Sequence, residues 1–252
     1  MDKIALVTGA TAGIGTATAL SLVEMGYNII ITGRRAERLS ELKAQLEKQH
    51  IQVLPLCFDV RNLEECQVAL SSISEEWKQV DVLINNAGLA AGKASIDEGD
   101  FENWNRMIDT NVKGLLNVSG IVIPWMSSRK SGRVINIGSL AGKEAYANGT
   151  VYCGSKHAVD AISRGMRLDL LSKNIKVSNI APGLVETEFS MVRFDWDAEK
   201  AANVYKGFDP LKAEDIAQCI RFVVSRPAHV NIADMLILPA AQGNSVSVNR
   251  NS

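Results

Sequence analysis

The sequence predicts an α/β fold in which a seven-stranded parallel sheet is doubly wound, with helices on both faces. Short apolar runs rich in β-branched residues alternate with longer segments of helical period along almost the whole chain. The first run, Ile4 to Thr8, passes through a glycine-rich turn, Gly9 to Gly15, into an alanine-rich helical pattern from Thr16 to Met25. At 252 residues, 46% of them hydrophobic, the chain can bury one large core, and no repeat, low-complexity block or linker divides it. A single Rossmann-type domain over 1–252 is the expectation.

Composition narrows the function. A net charge of −1 gives no general attraction to nucleic acid or to an anionic membrane. Met1-Asp2-Lys3 leads directly into Ile4-Ala5-Leu6-Val7, so neither a signal peptide nor a membrane span is expected. Cys57, Cys66, Cys153 and Cys219 lack CxxC spacing, which argues against a metal site and a disulfide framework and fits a reducing cytoplasm.

Each element follows from its pattern. Strand, glycine turn and helix are the setting of a dinucleotide site: glycines let backbone approach a pyrophosphate, and the helix start offers free N–H groups. The spacing here is G-x-x-x-G-x-G. A second strand, Asn28 to Thr32, ends in Gly33-Arg34-Arg35, where an NAD site would carry an acid for the ribose 2′-hydroxyl. Two guanidiniums favour a 2′-phosphate instead, and hence NADP. A charged helix is expected over 36–49 and a third strand over 52–58, ending at Asp59. That aspartate either accepts from an adenine amino group or caps the helix expected from Asn62 to about Lys78. A fourth strand at 81–84 ends in Asn85-Asn86-Ala87-Gly88, residues suited to a sharp turn. One long helical pattern covers 101–129 and contains Asn111, whose propensity there is poor. Further strands are expected at 133–137, 175–180 and 234–238, with helices over 150–171 and 212–225. Residues 184–209 read as a mobile, substrate-covering insertion, and 240–252 as a tail either frayed or held by a partner subunit.

The chemistry lies in the 150–171 helix. Tyr152 and Lys156, four residues apart, share one helical face. An ammonium beside a phenol favours the phenolate, making the pair a candidate general acid/base for an alcohol oxygen. Alone, a Y-x-x-x-K is weak evidence. It stands in order with T-G-A-T-A-G-I-G at 8–15, N-N-A-G at 85–88, N-V-K-G at 111–114, G-S at 138–139 and P-G at 182–183. In this the whole chain resembles the short-chain dehydrogenase/reductases.

That resemblance implies Tyr152 as acid/base and Ser139 as the hydrogen bond to the substrate oxygen. It implies Lys156 on the nicotinamide ribose and Asn111 holding a water in a proton relay. It implies a cofactor site at Gly9, Thr11, Gly13, Ile14, Gly15, Arg34, Arg35, Asp59, Val60, Asn86, Ala87, Gly88, Tyr152, Lys156, Pro182, Gly183, Val185 and Thr187, no metal, and a homotetramer. T-G-R-R at 32–35, T-E-F-S-M-V-R-F at 187–194 and R-P-A-H-V-N-I at 226–232 are similar to a narrower branch. That branch oxidises serine, L-allo-threonine and other 3-hydroxy acids with NADP, or reduces malonic semialdehyde. Arg193 then offers itself to a substrate carboxylate, against the plainer reading of a surface pair with Asp195 or Asp197, and Glu186 or Glu188 to its guanidinium or to serine's ammonium. A broader carbonyl or 3-oxoacyl reductase is the alternative enzyme, and an NADP-binding redox sensor the alternative outside catalysis.

Overall fold

The computed structural model describes residues 3–251. In it β1 (Ile4–Val7), β2 (Asn28–Gly33), β3 (Val53–Cys57), β4 (Val80–Asn85), β5 (Gly132–Ile137), β6 (Ile175–Pro182) and β7 (Asp234–Ile237) form one parallel sheet, in the order β3-β2-β1-β4-β5-β6-β7. Alternate strand residues feed two cores, as a sheet covered on both sides requires. Ala5, Val7, Ile29 and Ile31 pack against α1 (Gly13–Glu24), α2 (Ala36–Leu46) and the helix 213–224. Ile4, Leu6, Ile30 and Leu83 pack instead against α3 (Leu63–Ser71) and the helices 115–129 and 150–169. The winding reverses between β1 and β4, which opens a crevice at the carboxyl ends of the strands.

Two helices differ from expectation. The helix after Asn62 stops at Ser71 rather than near Lys78. There the Ser71 and Ser72 hydroxyls bond back to the carbonyls of Gln67, Val68 and Ala69, competing with continued helix. The pattern over 101–129 is α4 (Phe101–Ile108), a π-helical segment (Asp109–Gly114) and α5 (Leu115–Arg129). The widened segment carries Asn111, buried and bonded to Leu89 and Ser155.

After α6 (Thr150–Asp169), the insertion is helical: α7 (Glu188–Arg193) and α8 (Ala198–Tyr205) precede α9 (Ala213–Val224). Its ends are tied by a bridge between Val185 and Leu211, and Tyr205 reaches from α8 to the Val185 carbonyl (2.8 Å) and the Ser190 hydroxyl (2.7 Å). The described residues of the tail, 240–251, are not frayed but bonded to the chain's own loops and helices. Gln242 Oε1 accepts from Leu184 N–H (2.9 Å), Ser245 N–H donates to Glu144 (2.8 Å), and Asn251 N–H donates to the Gly207 carbonyl (2.7 Å). Arg250 donates to the Lys206 and Val204 carbonyls and stacks on Phe208.

Candidate active site

At the carboxyl ends of the strands lies one cleft of about 1120 Å³. Every cofactor residue inferred from the sequence lines it except Gly15, and Ser139 and Arg193 line it too. Gly13 starts α1 at φ +51°, a conformation that L side chains rarely adopt, and Ala12 before it supplies no side-chain cap. The first N–H groups of the helix therefore face the cleft with no side chain to satisfy them, a cradle for a pyrophosphate. Gly15 acts by packing: a Cβ there would stand 2.2 Å from the Gly9 carbonyl oxygen. Opposite the cradle, Thr8 Oγ1 accepts from the N–H groups of Asn86 and Ala87 (3.0 Å each), and Asn86 Nδ2 donates to the Thr8 carbonyl (2.8 Å). Asn85 points inward, into a buried chain with Ser119, Asn136 and Ser163.

At the far end, Asn62 caps α3, so Asp59 is not the cap. Burial pushes the Asp59 carboxyl up, but bonds from Arg61 (2.6 and 2.9 Å) and the Arg34 charge prevail and hold it below the usual range. The two arginines of the Gly33-Arg34-Arg35 turn divide their work. Arg34 is exposed, with only a 3.7 Å approach to Asp59. Arg35 bonds Thr11 Oγ1 (3.0 Å) and Glu188 (3.2 Å), which uses most of its donors. Arg38, which the sequence reading missed, joins them by bonding both Glu188 oxygens (2.8 and 2.9 Å). Its spacing of three to four residues from the pair was the available signal. An uncapped helix start beside three arginines fits a dinucleotide carrying a 2′-phosphate.

Tyr152 and Lys156 project from one face of α6 and are both buried. Lys156 Nζ donates to the Ile137 carbonyl (2.9 Å), and burial lowers its pKa to about 8. The phenol departs from expectation. Burial and the neighbouring Tyr146 push its pKa above the ordinary 10, opposed by hydrogen bonding to Ser139 and by the Arg193 charge, with Lys156 not among the groups acting on it. Ser139 caps a 3-10 turn (Leu140–Gly142), accepting from Ala141 N–H (3.1 Å), which fixes its hydroxyl at the end of β5. Asn111 accepts from Leu89 N–H (2.8 Å) and donates to the Leu89 carbonyl (2.8 Å) and Ser155 (3.0 Å), leaving one Oδ1 lone pair.

The insertion roofs this centre. Phe189 leans on Tyr152, ring centres 5.8 Å apart. Arg193 exchanges bonds with Gly92, N–H to the Arg193 carbonyl at 2.9 Å and Nε to the Gly92 carbonyl at 3.3 Å. Its guanidinium stands over Tyr152 (5.7 Å), Tyr146 (5.8 Å) and Phe194 (5.9 Å). The alternative surface pair with Asp195 or Asp197 does not form; Asp197 pairs with Lys200. Neither glutamate serves Arg193: Glu186 is held by Lys212 and Glu188 by Arg35 and Arg38. Tyr146, Phe189 and Gln242 were not legible beforehand, since only the folding of the roof and tail brings them to the cleft. The 226–232 motif lies between α9 and β7 and does not reach it.

A fold wound in this way, with Ser139, Tyr152 and Lys156 at one end of a dinucleotide cleft, defines an oxidoreductase working on an alcohol or carbonyl carbon. Residues 3–198 match the short chain dehydrogenase family, and the chain belongs to it. Over 250 residues it is 40% identical to an NADP-dependent 3-hydroxy acid dehydrogenase of Schizosaccharomyces pombe, covering 98% of this chain and 96% of that protein. It is 42% identical over 242 residues to a serine 3-dehydrogenase of Rhizobium radiobacter, covering 96% of each. The closed form of a serine dehydrogenase complexed with NADP+ superposes with a TM-score of 0.92 at 42% identity, covering 98% of this chain and 99% of that one. No helix among the described residues is long and apolar enough to cross a membrane.

Proposed function

We propose that the protein is an NADP-dependent oxidoreductase that interconverts small 3-hydroxy acids and their 3-oxo forms. The observation that carries the substrate class is Arg193. It lies over the phenol of Tyr152 and, among the described residues, pairs with no carboxylate. A 3-hydroxy acid holds its hydroxyl and carboxylate a short span apart, so the oxygen meets Ser139 and Tyr152 while the carboxylate takes two parallel bonds from Arg193. The acidic residues lining the cleft, Asp59 and Glu188, are both paired with arginines. None is left for serine's ammonium, which favours 3-hydroxypropionate over serine.

Arg34 holds the 2′-phosphate, the start of α1 the pyrophosphate and Lys156 the nicotinamide ribose. The bound nicotinamide supplies or accepts the hydride. In reduction the Tyr152 phenol gives its proton to the substrate oxygen while Ser139 stabilises the charge developing there. Its raised pKa keeps it protonated and ready at neutral pH. Lys156 and a water on the remaining Asn111 lone pair return the proton. The four free thiols fit a reducing cytoplasm, and the assembly is a homotetramer.

The test compares kcat/KM for 3-hydroxypropionate and 1-propanol in the Arg193→Ala variant. Loss of a charge-assisted bidentate contact lowers the value for the acid by about 10- to 100-fold and leaves the alcohol nearly unchanged. Equal losses on both would mean that Arg193 only holds the roof.

A further inference from the structure

We propose that Glu188 is an internal rival of the cofactor's 2′-phosphate, so that binding this phosphate unlatches the roof of the active site. The inference rests on the NADP site proposed above and assigns a residue that governs it.

Glu188 is the first residue of α7, and its carboxylate lies on α2: Arg35 Nη1 at 3.2 Å, Arg38 Nη1 at 2.8 and 2.9 Å. Arg35 in turn grips Thr11 of the glycine turn. One carboxylate thus joins the roof to the cleft wall through guanidiniums adjoining the corner where Arg34 stands exposed. All three partners line the cleft or touch those that do, and each side chain is 37–40% exposed. Ion pairs so exposed are weak and readily exchanged. A phosphate monoester carries nearly two charges and three acceptor oxygens, so it outbids a single carboxylate for the same donors. Once a phosphate draws Arg35 and Arg38, Glu188 faces a like charge and α7 loses its anchor on α2. A dinucleotide without the 2′-phosphate leaves the latch closed. On departure of the phosphorylated cofactor, Glu188 reoccupies the arginines and hastens its exit.

Calorimetry with adenosine 2′,5′-bisphosphate and 5′-AMP tests this without nicotinamide or turnover. The unmodified protein binds the bisphosphate more tightly than 5′-AMP. Glu188→Gln keeps the side chain's size, and it should tighten the bisphosphate by about 3- to 30-fold while changing 5′-AMP less than twofold. Hydrogen exchange supplies a second readout: the bisphosphate should speed exchange in the α7 amides of the unmodified protein and not of the variant. Unchanged or weaker bisphosphate binding in Glu188→Gln, or an equal change for both ligands, overturns the rivalry and leaves the cofactor site standing. Equal affinity of the unmodified protein for both nucleotides overturns the arginine corner as a phosphate site, and the rivalry with it.

Discussion

Burial favours the neutral forms of both Tyr152 and Lys156, and each consequence can be measured. Removing the phenolic oxygen in Tyr152→Phe takes away the proton donor without touching the cradle at α1. The expected result is unchanged NADPH affinity with kcat lowered by about 10²–10⁴, and a loss below tenfold would contradict the role. Because the phenol's pKa lies above 10, oxidation should accelerate with rising pH throughout the alkaline range, and reduction should slow. Lys156 affects stability in the opposite sense to most lysines. Its pKa is about 8 when folded, against an ordinary 10.5. Below pH 8 both states hold the proton and the folded state bears the full cost of a buried ammonium. Between pH 8 and about 10.5 only the unfolded chain stays charged, so stability rises with pH. Lys156→Met should therefore abolish activity yet stabilise the cofactor-free protein at pH 7, by about 1–3 kcal/mol after loss of the Ile137 bond. Denaturant melts at pH 7 and pH 10.5 check this: the gain should vanish at the higher pH, and a destabilised variant at pH 7 would refute it.

At the scale of elements, the roof is secured at several points by few bonds each. The α7 end is held by Glu188 and Gly92, the base by the Val185–Leu211 bridge, and the α8 end by the tail. Arg250 contributes most at that last point, with two carbonyls and the Phe208 ring. Its replacement by alanine should loosen α8 without disturbing Tyr152. KM for the hydroxy acid should rise by about three- to tenfold, with faster hydrogen exchange in α8 and kcat changed less than twofold. A fall in kcat with KM unchanged would show the tail acting on the chemistry itself. The π-helical segment is the counterpart on the opposite wall, since its wider turn brings Asn111 onto Leu89 and behind Lys156.

For the whole molecule, apolar side chains left in water point to assembly. Phe101 is 74% exposed at the start of α4, and Leu168 near the end of α6 and Leu171 just beyond it are 76% and 75% exposed. Leu236 of the edge strand β7 and Phe222 of α9 are also exposed. Exposed apolar residues on several elements suit an assembly, and a tetramer with two-fold axes is the expectation. Light scattering at micromolar concentration should find four chains together, and Phe101→Asp should reduce the assembly to a smaller species. A 27.3 kDa species alone would refute the assembly.

Much of this was legible because its causes are local. The alternation of β-branched runs with helical periods specifies a parallel sheet with two covered faces, and the glycine turn after the first run specifies where it opens. Tyr152 and Lys156 are brought together by helical spacing alone, and Ser139 by its place at a strand end. Other features depended on which groups meet across long chain separations. Arg34 and Arg35 are alike in sequence, yet Glu188, some 150 residues away, engages Arg35 and not Arg34, which lies exposed near Asp59. Arg193 had acidic neighbours in sequence on either side, but the fold gave Glu186 to Lys212 and Glu188 to α2, while Asp197 pairs locally with Lys200. The tail reads as polar and unstructured because its bonds are to backbone groups of the 184–207 segment and to Glu144, which only the folded chain presents. Periodicity and turn chemistry determined the scaffold and the catalytic pair, whereas the tertiary structure decided the competition among charges, because an ion pair depends on proximity in space and not on spacing along the chain.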